Sequence, residues 1–190
     1  NLFKNTEFMM GATQYKNLPE DAGIEILLAG RSNAGKSSAL NALTDNKKLA
    51  RISKTPGRTT EINYFKVNEN LKLVDLPGYG FAKSGHSRKK DWGPLLGQYF
   101  NERRSFKAVL LFMDIRHPLK DSDLELIDLC IDSKVSYFPV LTKSDKLSNN
   151  KIAQAAAKVS KELGDIETYV VSSKNISGFR KLSKLLLSFK

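Results

Sequence analysis

The chain has 190 residues, 41% of them hydrophobic, enough to bury one ordinary core, so one globular domain with short extensions is expected rather than two domains. Its 31 Lys and Arg against 20 Asp and Glu leave a formal charge of +11, which implies an attraction to polyanions but names no activity. The single Cys130 excludes an internal disulfide, the separated His86 and His117 offer no zinc cluster, and no run approaches the roughly 18 apolar residues of a membrane span. Residues 1–4 lack the apolar run of a signal peptide, so we expect a cytoplasmic monomer with no membrane partner.

Residues 1–21 read as an N-terminal extension without a clear pattern, ahead of a domain over 22–190. The apolar run 24–29 suits a strand buried on both faces. Directly after it, Gly30-Arg31-Ser32-Asn33-Ala34-Gly35-Lys36-Ser37 matches G-x-x-x-x-G-K-S, and a helical run over 36–44 follows. Strand before and helix after is the setting in which backbone N–H groups and the helix N-terminus close around phosphates. There Lys36 contacts the β- and γ-phosphates and the Ser37 hydroxyl ligates Mg²⁺. A ligand-free Gly-rich turn competes poorly, because a chance match in a chain of this length is on the order of one per cent.

In Lys54-Thr55-Pro56-Gly57-Arg58-Thr59-Thr60 a Pro-Gly turn precedes two threonines. One hydroxyl, Thr59 in preference to Thr60, is expected to close over Mg²⁺ and the γ-phosphate and make this loop a switch. Runs 62–67 and 71–74 are joined only by Asn68, Glu69 and Asn70, too short for a parallel crossover, so they predict an antiparallel hairpin at a sheet edge. The second run ends in Asp75-Leu76-Pro77-Gly78. That places a carboxylate at a strand tip, where Asp75 can hold Mg²⁺ through water and the Gly78 N–H can bond the γ-phosphate. Residues 84–90 read as a basic loop, in which His86 is an exposed polar residue before it is a general base.

Helical runs 92–103 and 122–132 flank a strand over 108–113, and Cys130 sits in an apolar pattern as a small core residue. A strand over 137–141 leads into Thr142-Lys143-Ser144-Asp145, which resembles the [NT]-K-x-D guanine signature. The Asp145 carboxylate can accept hydrogen bonds from guanine N1–H and the exocyclic amine, a donor pair that adenine lacks, while the Lys143 stem covers the base. An adenine-specific P-loop kinase or ATPase is thereby disfavoured. After a helical run over 151–163 and a strand over 168–171, Val171-Ser172-Ser173-Lys174 fits a loop whose backbone N–H meets guanine O6; a helix over 179–189 ends the chain. All these signals fall at C-terminal strand ends, where open α/β sheets bind ligands. The pattern predicts an α/β fold: a mainly parallel six-stranded sheet with one antiparallel edge strand and helices on both faces.

With these motifs on the page, almost the whole chain resembles the EngB (YihA/YsxC) family of bacterial GTPases, in the Era/TrmE-like branch. The resemblance is carried by GRSNAGKSS at 30–38, KTPGRT at 54–59, DLPGYG at 75–80, TKSD at 142–145 and the serine pair at 172–173. It implies a Ras-like P-loop GTPase fold with residues 22–190 as the G domain, Mg²⁺-dependent GTP binding and hydrolysis, and a role in assembling the large ribosomal subunit that normal cell division and septation require. It extends the nucleotide site to Ser38 and to Gly57, Arg58, Thr59, Thr60 and Glu61. The metal is assigned to Ser37, Thr59 and, through water, Asp75, and catalysis to Lys36, Thr59, Gly78 and Asn33.

Tyr79 stands where Ras-like enzymes carry a water-orienting glutamine, and a phenol cannot play the amide's part. Asn33 is a candidate for holding K⁺ beside the phosphates, where a cation in place of an arginine finger is worth about 10⁵-fold, roughly 7 kcal/mol; a loop-stabilising Asn33 is the alternative. Arg31 and Arg58 read as surface-loop residues before arginine fingers in cis. Lys83, Arg88, Lys89, Lys90, Arg103, Arg104, Arg180, Lys181 and Lys184 form the surface expected to meet ribosomal RNA through phosphate contacts, while Trp92, Tyr99 and Phe100 read as core. A competing reading is an RNA- or ribosome-binding module that uses GTP only as a structural ligand.

Overall fold

Seven strands form one sheet among the residues that the computed structural model describes, 2–50, 61–79 and 93–189. In chain order they are β1 (Glu7–Ala12), β2 (Ile24–Gly30), β3 (Ile62–Lys66), β4 (Leu71–Asp75), β5 (Phe106–Asp114), β6 (Ser136–Thr142) and β7 (Tyr169–Val170). The spatial order is β1-β3-β4-β2-β5-β6-β7. Five helices accompany them among the described residues: α1 (Lys36–Thr44), α2 (Gly93–Glu102), α3 (Asp121–Asp132), α4 (Asn149–Glu162) and α5 (Phe179–Ser188). Strands β4, β2, β5, β6 and β7 pair in parallel, and β3 runs antiparallel to β4.

The hairpin of β3 and β4 turns on Asn68, whose side-chain oxygen accepts the N–H groups of Asn70 and Leu71 at 2.9 Å each. Such a side-chain mimic of a backbone turn is what lets so short a connection reverse the chain. Outside the hairpin lies the strand that corrects the expected count of six. Residues of β1 pair antiparallel with β3, Glu7 opposite Lys66 and Ala12 opposite Ile62. The sequence EFMMGA has no alternation to mark it, and only the pairing partner makes it a strand.

Along β2, Ile26 and Leu28 face one core while Leu27 and Ala29 face the other; β5 divides likewise into Leu110 and Phe112 against Leu111 and Met113. Helices α1 and α5 cover the first face, and α2, α3 and α4 the second. Burial on both faces is why these strands read as continuous apolar runs. Cys130, Tyr99 and Phe100 lie in the core, as their spacing suggests.

Glu25 breaks the pattern. It is fully buried at the start of β2 and accepts hydrogen bonds from Tyr99 Oη at 2.6 Å, Tyr64 Oη at 3.2 Å and the Arg103 guanidinium at 2.6 and 3.1 Å. Arg103 also donates to the Pro19 and Glu20 carbonyls at 2.8 and 3.2 Å. Arg103 is therefore a buried cation at the end of α2 and is no part of the basic surface, whereas Arg104, Arg180, Lys181 and Lys184 are exposed.

Candidate functional site

Strands β2, β4, β5 and β6 end at one edge of the sheet, and the loops that follow them meet there. Gly35 caps α1 with φ +87°, and a side chain at that position would begin 3.1 Å from Thr142 Oγ1, so the loop needs glycine on both counts. Asn33 also lies in the left-handed region, at φ 64°, a conformation that asparagine tolerates better than most residues. Ser37 and Ser38 are half-buried in the first turn of α1 beside Lys36.

The D-x-P-G segment runs along the phosphate loop. Ser32 N–H donates to the Tyr79 carbonyl at 3.0 Å, Tyr79 N–H to the Gly30 carbonyl at 3.4 Å, and Leu76 N–H to the Leu28 carbonyl at 3.0 Å. Gly78 lies against Ser32, whose Oγ would be 2.9 Å from a β-carbon added there. The Lys36 ammonium ion-pairs directly with Asp75 and donates to the Leu76 carbonyl at 2.6 Å. The two residues expected at the phosphates and at the metal thus touch, with side chains 10% and 14% exposed.

On the other side of the phosphate loop, the Thr142 hydroxyl donates to the Ala34 carbonyl at 2.5 Å, with the Met113 carbonyl 3.2 Å away. Lys143, at φ 60°, reaches back so that its Nζ donates to the Asn33 carbonyl at 2.7 Å. The Asp145 carboxylate accepts from Ser172 Oγ at 2.7 Å, and that bond holds its pKa below the ordinary value, so it is ionised near neutrality. Ser172 is fully buried and exchanges two backbone bonds of 3.1 Å with Ser177, while Ser144 N–H donates to the Val171 carbonyl at 3.3 Å. Ser173, half-buried, follows in the same loop.

Glu61 directly precedes β3, and its carboxylate lies 2.8 Å from where a side chain on Gly11 would begin. Gly57, Arg58, Thr59 and Thr60 lie outside the described residues, as do Lys83, His86, Arg88, Lys89, Lys90 and Trp92. Among the described residues no three His, Cys, Asp or Glu side chains gather as a metal cluster, and no helix is long and apolar enough to cross a membrane. The Ser37 hydroxyl and the Asp75 carboxylate are hard oxygen donors of the kind that Mg²⁺ takes.

Two contacts at this edge have no motif in the sequence. Tyr79 Oη donates to Asp123 Oδ1 at 2.8 Å, while Asp123 Oδ2 accepts the Lys120 N–H that opens α3. Burial raises the Asp123 pKa above its ordinary value despite those bonds. At the tip of β5, Asp114 receives the Arg116 guanidinium at 2.7 and 3.0 Å and lies 3.0 Å from Lys143 Nζ. Burial works to raise the Asp114 carboxyl, but the hydrogen bonds from Arg116 and Lys143 outweigh it and hold it well below the carboxylate range. A carboxylate at yet another strand tip of the same edge is the signal that would have found it. A groove of about 260 Å³ opens here between the phosphate loop and β5, bounded by Arg31, Asn33, Asp114, Arg116, His117 and Lys143.

A family model described as "50S ribosome-binding GTPase" matches residues 25–143. The probable GTP-binding protein EngB of Vibrio parahaemolyticus is 49% identical over 90% of this chain and 80% of its own length. Among solved structures, a probable GTP-binding protein EngB superposes with a TM-score of 0.65 at 22% identity, covering 86% of this chain and 96% of that one. Era in complex with MgGDPNP and a segment of 16S ribosomal RNA superposes at 0.66 and 20% identity, covering 88% of this chain and 57% of that one. The sheet order and the phosphate loop define a Ras-like P-loop GTPase. Within that class the chain belongs to the EngB family of GTP-binding proteins.

Proposed function

We propose that this chain hydrolyses GTP slowly with Mg²⁺ and serves as a GTP/GDP switch in assembly of the large ribosomal subunit, a role on which normal cell division and septation depend. The observation that carries the reading is the convergence of the phosphate, D-x-P-G and T-K-S-D loops at one sheet edge, tied by the Thr142–Ala34 and Ser32–Tyr79 hydrogen bonds. Lys36 takes the β- and γ-phosphates in exchange for Asp75, Gly78 N–H meets the γ-phosphate, and Asp145 reads guanine beside Lys143. Ser37, Thr59 and, through water, Asp75 would hold the metal, which would supply neutralisation of phosphate charge.

The Tyr79 phenol donates to Asp123 and cannot play the part of a water-orienting amide. Asn33 would hold K⁺ beside the phosphates, where the cation would supply charge neutralisation; a loop-stabilising Asn33 is the alternative. Equal hydrolysis rates in KCl and NaCl contradict the K⁺ assignment.

A ribosomal partner is supported by the family description and by the exposed Arg104, Arg180, Lys181 and Lys184 on a strongly basic chain. Co-sedimentation with isolated ribosomal subunits across a salt series tests it. Binding to the large subunit only with a non-hydrolysable GTP analogue is the expected result; nucleotide-independent, salt-fragile binding to both subunits contradicts it. The missing glutamine favours the second reading, a ribosome-binding module with GTP as structural ligand. Turnover stimulated by large subunits argues against that reading.

A further inference from the structure

We propose that Asp114 is a positioning residue for guanine recognition, because its carboxylate fixes the ammonium of Lys143 against the phosphate loop while Arg116 fixes the carboxylate. The inference rests on reading the T-K-S-D loop as the guanine site. Lys143 Nζ is held between two acceptors, the Asn33 carbonyl at 2.7 Å and Asp114 Oδ2 at 3.0 Å. Its stem is thereby stretched from the base-reading loop to the phosphate loop, the path a side chain must take to lie over a base. A lone lysine with that many rotatable bonds loses entropy on being fixed, and a carboxylate already in place removes that loss from the binding step.

Asp114 is itself over-determined. Arg116 donates to it from Nε at 3.0 Å, from its terminal nitrogen at 2.7 Å and from its backbone N–H at 3.0 Å. A forked guanidinium sets the plane of the carboxylate, which a single ammonium cannot do. The burial of Asp114, 15% exposed, strengthens both ion pairs relative to a surface bridge. The Arg116 side chain is 42% exposed, so the device is anchored at the rim and works inward.

The test is a double-mutant cycle of Asp114→Asn with Lys143→Ala, read by GDP titration and thermal unfolding. Asp114→Asn is expected to weaken GDP binding about tenfold in the parent protein, the size of a lost charge-assisted hydrogen bond, and less than about twofold in the Lys143→Ala background. The same loss in both backgrounds, or none in either, overturns the proposal, since a merely structural aspartate acts without regard to Lys143. Should Asp114→Asn not fold, Arg116→Ala carries the same cycle, with coupling to Lys143 expected and independence overturning it. Absence of GDP binding by the parent protein would sink the guanine-site reading itself, an outcome distinct from a failed cycle.

Discussion

Arg103 and Glu25 meet beneath the start of β2, and Lys36 and Asp75 meet at the opposite end of the neighbouring β4; both are cation–carboxylate pairs largely withdrawn from water. Glu25 is saturated, with two tyrosine hydroxyls and a guanidinium filling its acceptor positions in a site closed to solvent. The other pair joins the start of α1 to the tip of β4, retains 10% and 14% exposure, and is made of residues that the proposed function gives to phosphate and magnesium. A pair enclosed on all sides can only hold structure. A pair at an open edge can exchange its partner.

Substitutions should separate the two ends. The largest effect is expected for Arg103→Met, which strands Glu25 in the core and should cost about 3–5 kcal/mol of unfolding free energy while leaving nucleotide affinity of the folded protein intact. Urea denaturation beside GDP titration measures both, and a loss of affinity without a loss of stability would undo the contrast. Lys36→Met should weaken GTP binding by roughly 3 kcal/mol, and it should cost less stability than Arg103→Met because the Asp75 carboxylate it leaves without a partner keeps some exposure. Asp145→Asn should follow at about 2 kcal/mol of GDP affinity, with improved xanthosine diphosphate binding because the amide now donates to the extra carbonyl. An unchanged purine preference would remove Asp145 from the site.

The smallest effect belongs to Asp21 at the closed end. Burial works to raise its carboxyl, but hydrogen bonds from Ser105 Oγ and from the Arg104 and Ser105 N–H groups lower it from 3.8 to about 2. A folded pKa below the unfolded one stabilises the fold fully above the unfolded value and loses that contribution as pH falls toward the folded one. Between pH 4 and 2 the parent protein should therefore lose more of its unfolding temperature than Asp21→Asn does. Parallel curves for the two would deny Asp21 this role.

The open end was the more legible in sequence, and for a physical reason. The motifs there fix residue types at set spacing on short loops, so Gly35, Lys36, Asp75 and Asp145 announce themselves. The closed end answers only to packing. Glu25 hides inside the apolar run 24–29, its partner Arg103 reads as one more surface base, and their contact spans 78 residues. Strand β1 is hidden in the same way, since it borrows its definition from β3. Asp114 stands between the two cases, at a strand tip like Asp75 but with no spacing rule to flag it.

The central claim, that this edge is a guanine-nucleotide site, is tested most directly by displacing a fluorescent GDP analogue with unlabelled GTP, GDP and ATP. The account predicts displacement by both guanine nucleotides and none by ATP at about 100-fold higher concentration, a difference of roughly 2.7 kcal/mol that the Asp145 carboxylate supplies. Equal displacement by ATP would contradict it and return the chain to the adenine-using P-loop enzymes.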